Sequence, residues 1–193
     1  MVTILELTAT TAGLLYLSLA VQQRPLCWAF YIVSAAAYLP VFLSSALPIY
    51  ALFQLLFIAQ GLYGLFRWGV PSAGTRLITS MSKGAHVLAN ALSVSVLLAG
   101  VTWIPHSGSM INAGADLFLS VYSLTATVLT IRRYCESWIY WGIINGAGVI
   151  TSLSNHLYLT SVFFLINLAF SAIGFQEWRV EMKRQHSPGV PLR

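Results

Sequence analysis

The sequence predicts an all-α membrane protein of seven transmembrane helices, organised as a parallel 3+1+3 internal repeat. Three observations carry this: the composition, the segregation of basic residues, and self-similarity at an offset of 110 residues. Of the 193 residues 58% are hydrophobic and 8% charged, whereas soluble domains carry roughly a quarter charged residues. Ten basic and five acidic side chains cannot build a water-facing shell over so much apolar surface, so the solvent is lipid. The net charge of +5 does not indicate nucleic-acid binding, because most basic residues sit in short gaps between apolar runs.

A spanning helix needs about 20 mostly apolar residues. Seven such runs are present, approximately Ile4–Val21, Leu26–Leu43, Ile49–Trp68, Ala85–Ile104, Gly114–Ile131, Trp138–Leu153 and Leu157–Trp178. Turn-forming or charged residues separate them: Arg24-Pro25, Ser44-Ser45, Gly69 with Pro71 and Gly74, Pro105 with Gly108, Arg132-Arg133, and Ser154-Asn155. The sixth run is the shortest and contains Gly142, Gly146 and Gly148. If the connections alternate between two sides of a membrane, all ten basic residues, from Arg24 to Arg193, fall on one side. By the positive-inside rule that side is cytoplasmic, the N-terminus lies outside and the C-terminus inside. The first run has no basic residues ahead of it, unlike a secretory signal peptide, so it is expected to remain as a helix. Cys27 and Cys135 lie toward the reducing side, too few for a disulfide framework, and are treated as small apolar residues.

Laid over itself by 110 residues, the chain pairs Trp28 with Trp138, Phe53 with Phe163, Gly64 with Gly174, Trp68 with Trp178 and Glu6 with Asp116. Residues 4–68 then form a first three-helix repeat and 114–178 a second. The stretch 69–113 supplies a cytoplasmic loop and a linker helix at about 85–104, and 179–193 a solvated or headgroup-facing tail. An offset of four crossings leaves both repeats pointing the same way, the layout of SWEET-like folds, with a substrate site between the halves near mid-membrane.

Polar side chains at mid-depth are the short list of functional residues. In the sixth run Trp138, Trp141 and Asn145 share one helical face, with Asn145 roughly 10 Å from the inner end at about 1.5 Å per residue. In the seventh, Asn167, Ser171, Gly174 and Trp178 share a face; Gln54 and Gln60 lie on the third run and Asn90 on the fourth. Two indoles and a carboxamide suit a flat heteroaromatic ligand, and a cationic ring adds about 0.5–2 kcal/mol of cation–π attraction. The alternative is that Trp138 anchors at the interface and Asn145 joins helices. Gly142 and Gly146 form a GxxxG, expected to pack against another helix or to clear room beside Asn145. Trp28, Trp68 and Trp178 are expected to be interfacial anchors. Glu6 and Asp116 fall near outer helix N-termini, where they complement the dipole or flank an outer vestibule. His86, His106, His156 and His186 have no metal-site spacing and are expected on the solvated surface; no metal or cofactor is implied.

The stretch from Arg132 through Tyr134, Glu136, Trp138 and Trp141 to Asn145 resembles the R-x-Y-x-E-x-W-x-x-W-x-x-x-N run of PnuC-type vitamin transporters. Glu6, Ala12-Gly13-Leu14, Tyr50, Gln54 and Tyr63-Gly64 ahead of Trp68 are similar to that family's opening helices, so the likeness covers about Glu6 to Trp178. The resemblance implies nicotinamide riboside uptake by facilitated diffusion in a bacterial inner membrane, a SWEET-like fold and a homotrimer. It also implies Trp138, Trp141 and Asn145 as substrate contacts, with Gln54 a further candidate, and trapping by a cytoplasmic kinase. Two departures stand out: Leu65 follows Tyr63-Gly64 where the family often has Trp, and Asn167 replaces a common aromatic. Carriers of thiamine or other small heteroaromatic vitamins and nucleosides share the scaffold and remain the alternative substrates.

The expected mechanism is an alternating-access uniporter walled by Trp138, Trp141, Asn145, Gln54 and Asn167. The central thirds of the runs hold no Asp, Glu, Lys or Arg, which disfavours proton coupling. Two rival classes fail on chemistry. A retinal receptor needs a mid-membrane Lys, yet Lys83 and Lys183 lie outside the runs. A membrane hydrolase needs a buried nucleophile with its base, and none is present.

Overall fold

In a medium that offers no hydrogen bonds, apolar runs of this length must satisfy their backbone internally, and the helix is the local solution. The structure, a computed structural model, describes residues 2–45, 48–70, 77–102, 110–185 and 187. Among them the chain forms seven helices: α1 (Val2–Val21), α2 (Cys27–Ser44), α3 (Pro48–Gly69), α4 (Lys83–Val101), α5 (Met110–Ile131), α6 (Ser137–Ser154) and α7 (Tyr158–Gln185). Pro71, Gly74, Arg76, Pro105, His106, Gly108, His186 and Arg193 lie outside the described residues.

Thirteen of the fourteen helix ends fall within four residues of the hydropathy runs; the exception is the end of α7, which continues to Gln185. The expected tail is therefore helical through its first seven residues, 179–185. Glu181 explains this locally: it pairs with Arg184 at 3.6 Å and accepts from Gln185 Nε2 at 3.4 Å, contacts one turn apart.

Six of the seven helices are long and apolar enough to cross a membrane by length and composition; α6 is outside that set. Its Trp, Gly, Ser and Asn residues lower its hydropathy, and several of them face protein: Ser137, Trp138, Asn145, Gly148 and Ser152 are all buried.

The chain divides into two units, Met1–Leu77 and Ile78–Arg193. In the first, α2 packs between α1 and α3. In the second, α6 packs between α5 and α7, and α4 packs on α5. A polar seam fastens α4: Asn90 Nδ2 donates to Tyr140 Oη at 2.8 Å, Tyr122 Oη donates to Asn90 Oδ1 at 3.3 Å, and the hydroxyls of Ser93 and Thr125 meet at 2.7 Å. His86 is half-buried in this seam, with Nδ1 3.1 Å from Tyr140 Oη and its ring stacked on Tyr140, which corrects the expectation of a solvated His86.

The α1–α2 and α5–α6 turns are copies at the 110-residue offset. Gln23 and Arg133 both adopt left-handed φ, 57° and 58°. Gln23 N donates to Ala20 O at 3.0 Å and Arg24 N to Leu19 O at 2.9 Å; Arg133 N donates to Thr130 O at 2.9 Å and Tyr134 N to Leu129 O at 3.0 Å. This is the paired 5→2 and 6→1 bonding of a Schellman cap, built without the usual glycine. The two bonds hold a side-chain-bearing residue where left-handed backbone costs about 1–2 kcal/mol.

Ahead of α4, residues 78–82 are stitched across the α5–α6 turn. Thr79 N donates to Arg133 O at 3.1 Å and Cys135 N to Thr79 O at 3.0 Å. Glu136 takes the Ser80 hydroxyl on one carboxylate oxygen and Met81 N, at 2.9 Å, on the other. Ile78 N donates to Gln185 Oε1 at 2.9 Å, which ties this segment to the end of α7. Ser82 then caps α4 by accepting from Ala85 N.

Candidate functional site

The buried face of α6 carries all three motif residues, but each reaches a different neighbour. Trp138 turns to α7: its ring lies edge-on to Trp178, centroids 5.5 Å apart at 88°, over Gly174. The first unit repeats this nest, with Trp28 edge-on to Trp68 at 5.2 Å and 87°, over Gly64. Trp28 and Trp178 are 0% exposed, Trp138 2% and Trp68 4%. An interfacial anchor presents its indole to headgroups; these four rings fill interior space, so the anchor reading is corrected for Trp28, Trp68 and Trp178, and Trp138 offers no free ring face.

Trp141 turns the other way. Its Nε1 donates to Thr130 Oγ1 on α5 at 3.2 Å, and its half-buried ring borders a cluster of Met81, Ala126, Leu129, Tyr140 and Ile144. Asn145, one turn on, donates from Nδ2 to Ser171 Oγ on α7 at 3.2 Å. The Ser171 hydroxyl in turn donates to the Asn167 backbone O, one turn back on α7, at 2.8 Å. Asn145 is thereby linked through Ser171 to the backbone of Asn167. The Asn167 amide donates to Phe163 O at 2.8 Å. Among the described residues the carbonyl oxygens of both amides remain uncommitted. Gln54 is buried on α3 of the first unit, on the face it shares with Gly61, Gly64 and Trp68.

The GxxxG expectation resolves toward its second branch. A Cβ added at Gly142 or Gly146 would meet nothing within 4 Å, whereas one at Gly148 would lie 2.5 Å from the Phe164 ring. Gly148 is thus the packing glycine of α6, and Gly142 and Gly146 leave space on the helix beside Trp141 and Asn145.

Glu6 and Asp116 are corrected in one respect. Because α1 begins at Val2 and α5 at Met110, neither acid lies in a first turn, where the dipole acts most strongly. Glu6 is exposed and Asp116 half-buried. Among the described residues no three His, Cys, Asp or Glu side chains converge on a metal-sized space.

Sequence reasoning missed Thr130 and the clasp made by Glu136, and had Ser171 only as a position on the Asn167 face of α7. Hydroxyls are common in these helices and carry no mark in composition. One signal existed for Thr130: it and Trp141 lie at matching distances on either side of the α5–α6 turn, so antiparallel helices bring them level.

Cys135 sits in the turn under the clasp. Burial, aided by the Glu136 carboxylate and opposed by Arg179, pushes its thiol from the usual 9.0 to about 11. A raised pKa favours the protonated fold; its stabilisation is complete below pH 9 and is lost as pH rises through about 11. Since the thiolate is the nucleophile, maleimide labelling of Cys135 in Cys27→Ser protein is expected to climb log-linearly through pH 10, where the SDS-unfolded chain levels off near 9. Glu136→Gln removes both a charge and a tether and raises the rate at every pH. A plateau at the ordinary thiol pKa in folded protein contradicts this burial.

Comparison with known proteins places this geometry. The family model for the nicotinamide mononucleotide transporter matches residues 3–180. The nicotinamide riboside transporter PnuC of Escherichia coli (strain K12) is 23% identical over 201 residues, covering 90% of this chain and 84% of its own. That of Shigella flexneri gives the same figures. A crystal structure of the vitamin B3 transporter PnuC shares the fold, with a TM-score of 0.74 at 22% identity over 96% of this chain and 84% of that one.

Proposed function

The chain belongs to the nicotinamide mononucleotide transporter family, and on that premise we propose that it imports nicotinamide riboside across a bacterial inner membrane. The observation that carries the substrate is the pairing, on α6, of an oriented indole with an amide whose carbonyl oxygen is uncommitted among the described residues, beside two unobstructed glycines. A pyridinium ring stacks on Trp141, and its carboxamide exchanges hydrogen bonds with Asn145 and Asn167; Gln54, in the first unit, is a further candidate contact.

The family's name mentions the mononucleotide; charge favours the riboside. A phosphomonoester carries about −1.5 to −2 charges and calls for Arg or Lys partners. The helical cations Arg67, Lys83, Arg179, Lys183 and Arg184 all lie near helix ends, and no Lys or Arg occurs in the central third of any helix. A singly cationic riboside needs no such partner and gains about 2.3 kcal/mol per 100 mV of inside-negative potential.

In this reading the carrier is a uniporter. It works by alternating access, on a SWEET-like plan of duplicated three-helix repeats. The duplicated Schellman turns and Trp–Gly–Trp nests support that duplication. The N-terminus faces outward, Glu6 and Asp116 border the outer vestibule, the assembly is a homotrimer, and a cytoplasmic kinase traps the product. Trp138 holds α6 to α7 and shapes the site without touching the ligand.

The test is a tryptophan-fluorescence titration of the purified protein with nicotinamide riboside, nicotinamide mononucleotide and thiamine, repeated in Trp141→Phe. Saturable quenching by the riboside, reduced in the variant, is the expected result. Equal or tighter binding of the mononucleotide or of thiamine overturns the substrate, and silence toward all three overturns the site.

A further inference from the structure

Among the described residues the indoles are held in two ways. The buried N–H groups of Trp28 and Trp138 have no hydrogen-bond partner among the described residues; each ring is located by packing, over a glycine and against a second Trp. Trp141 lacks such a nest and is only half-buried, but its N–H is bonded to Thr130 Oγ1 at 3.2 Å. Thr130 is 0% exposed and donates its own proton to Ala126 O at 2.9 Å, so the lone pair facing Trp141 is held in one direction. A single-proton hydroxyl that donates backward can only accept forward.

From this we infer that Thr130 is the positioning residue of the substrate site: it fixes the ring plane of Trp141 and withdraws the indole N–H from any ligand. The inference rests on the reading of Trp141 as a substrate contact. Its consequence is specificity. With the N–H occupied, Trp141 offers a ligand only its π face, which selects flat or cationic rings over ligands that need a donor. Without the hydroxyl, the indole swings about χ1 and χ2 and gains a free donor, so affinity for the pyridinium falls and selectivity relaxes.

Thr130→Val keeps the side-chain shape and removes only the hydroxyl function; Thr130→Ala covers the case in which the second γ-methyl disturbs packing; Thr130→Ser restores the acceptor. Two readouts are taken on full-length protein labelled with 5-fluorotryptophan, the Trp141 resonance being identified by its loss in Trp141→Phe. We expect Val and Ala to move and broaden the Trp141 fluorine resonance and weaken riboside binding about tenfold, the worth of one such hydrogen bond, with Ser returning both toward wild type. A Trp141 resonance unchanged in Val and Ala, or wild-type riboside affinity in both, overturns the assignment. Should wild-type protein bind no riboside, the transport reading fails; the resonance arm still decides whether Thr130 orients Trp141.

Discussion

Gly174→Ala is expected to destabilise the protein by about 1–3 kcal/mol, the usual range for forcing a methyl into a packed interior. The added Cβ would lie 2.4, 2.5 and 2.6 Å from Cδ2, Cε2 and Cε3 of Trp138. That ring cannot retreat, because Trp178 stands edge-on behind the same nest and all of it is buried. Gly64→Ala should behave alike in the first unit, where the same three ring atoms of Trp28 lie at 2.4, 2.6 and 2.6 Å. Gly142→Ala is the control: its Cβ meets nothing within 4 Å, and alanine gains up to about 1 kcal/mol of helix propensity over glycine. Thermal unfolding in detergent separates them. Wild-type melting in Gly174→Ala would mean that the Trp138 nest is looser than these distances require.

Asn145→Ala is expected to have the largest effect on binding, weakening nicotinamide riboside by about ten- to a hundredfold, since it removes the one α6 amide that exchanges hydrogen bonds with a buried carboxamide. Stability should change less. Ser171 keeps its bond to Asn167 O at 2.8 Å after its partner Asn145 Nδ2 is gone. Titration calorimetry beside a melting curve distinguishes lost recognition from lost fold. Unaltered affinity in a folded Asn145→Ala protein would move the site off α6.

The helices were legible in the sequence because hydropathy and turn residues are local properties, and in lipid a long apolar run has few options besides helix. The end of α7 was missed because its last turns are held by Glu181, Arg184 and Gln185, contacts that hydropathy does not register. The recurrence of Trp28, Gly64 and Trp68 as Trp138, Gly174 and Trp178 was legible, and each set forms the same nest, though the purpose of those residues was not. A tryptophan near a helix end reads as an anchor until the glycine that receives it, on another helix, is found.

What the sequence determined alone, then, is the lipid environment, the helix count and the Trp141–Asn145 face, all consequences of side-chain type and helical period. Tertiary structure decided which indoles are nested on a glycine and which is hydrogen-bonded, which glycines are contacts and which are space, and which side chains Thr130 and Glu136 meet. These depend on what stands opposite each residue. Partners such as Trp138 with Gly174 or Trp141 with Thr130 lie on different helices, and only the packing of those helices brings them within reach.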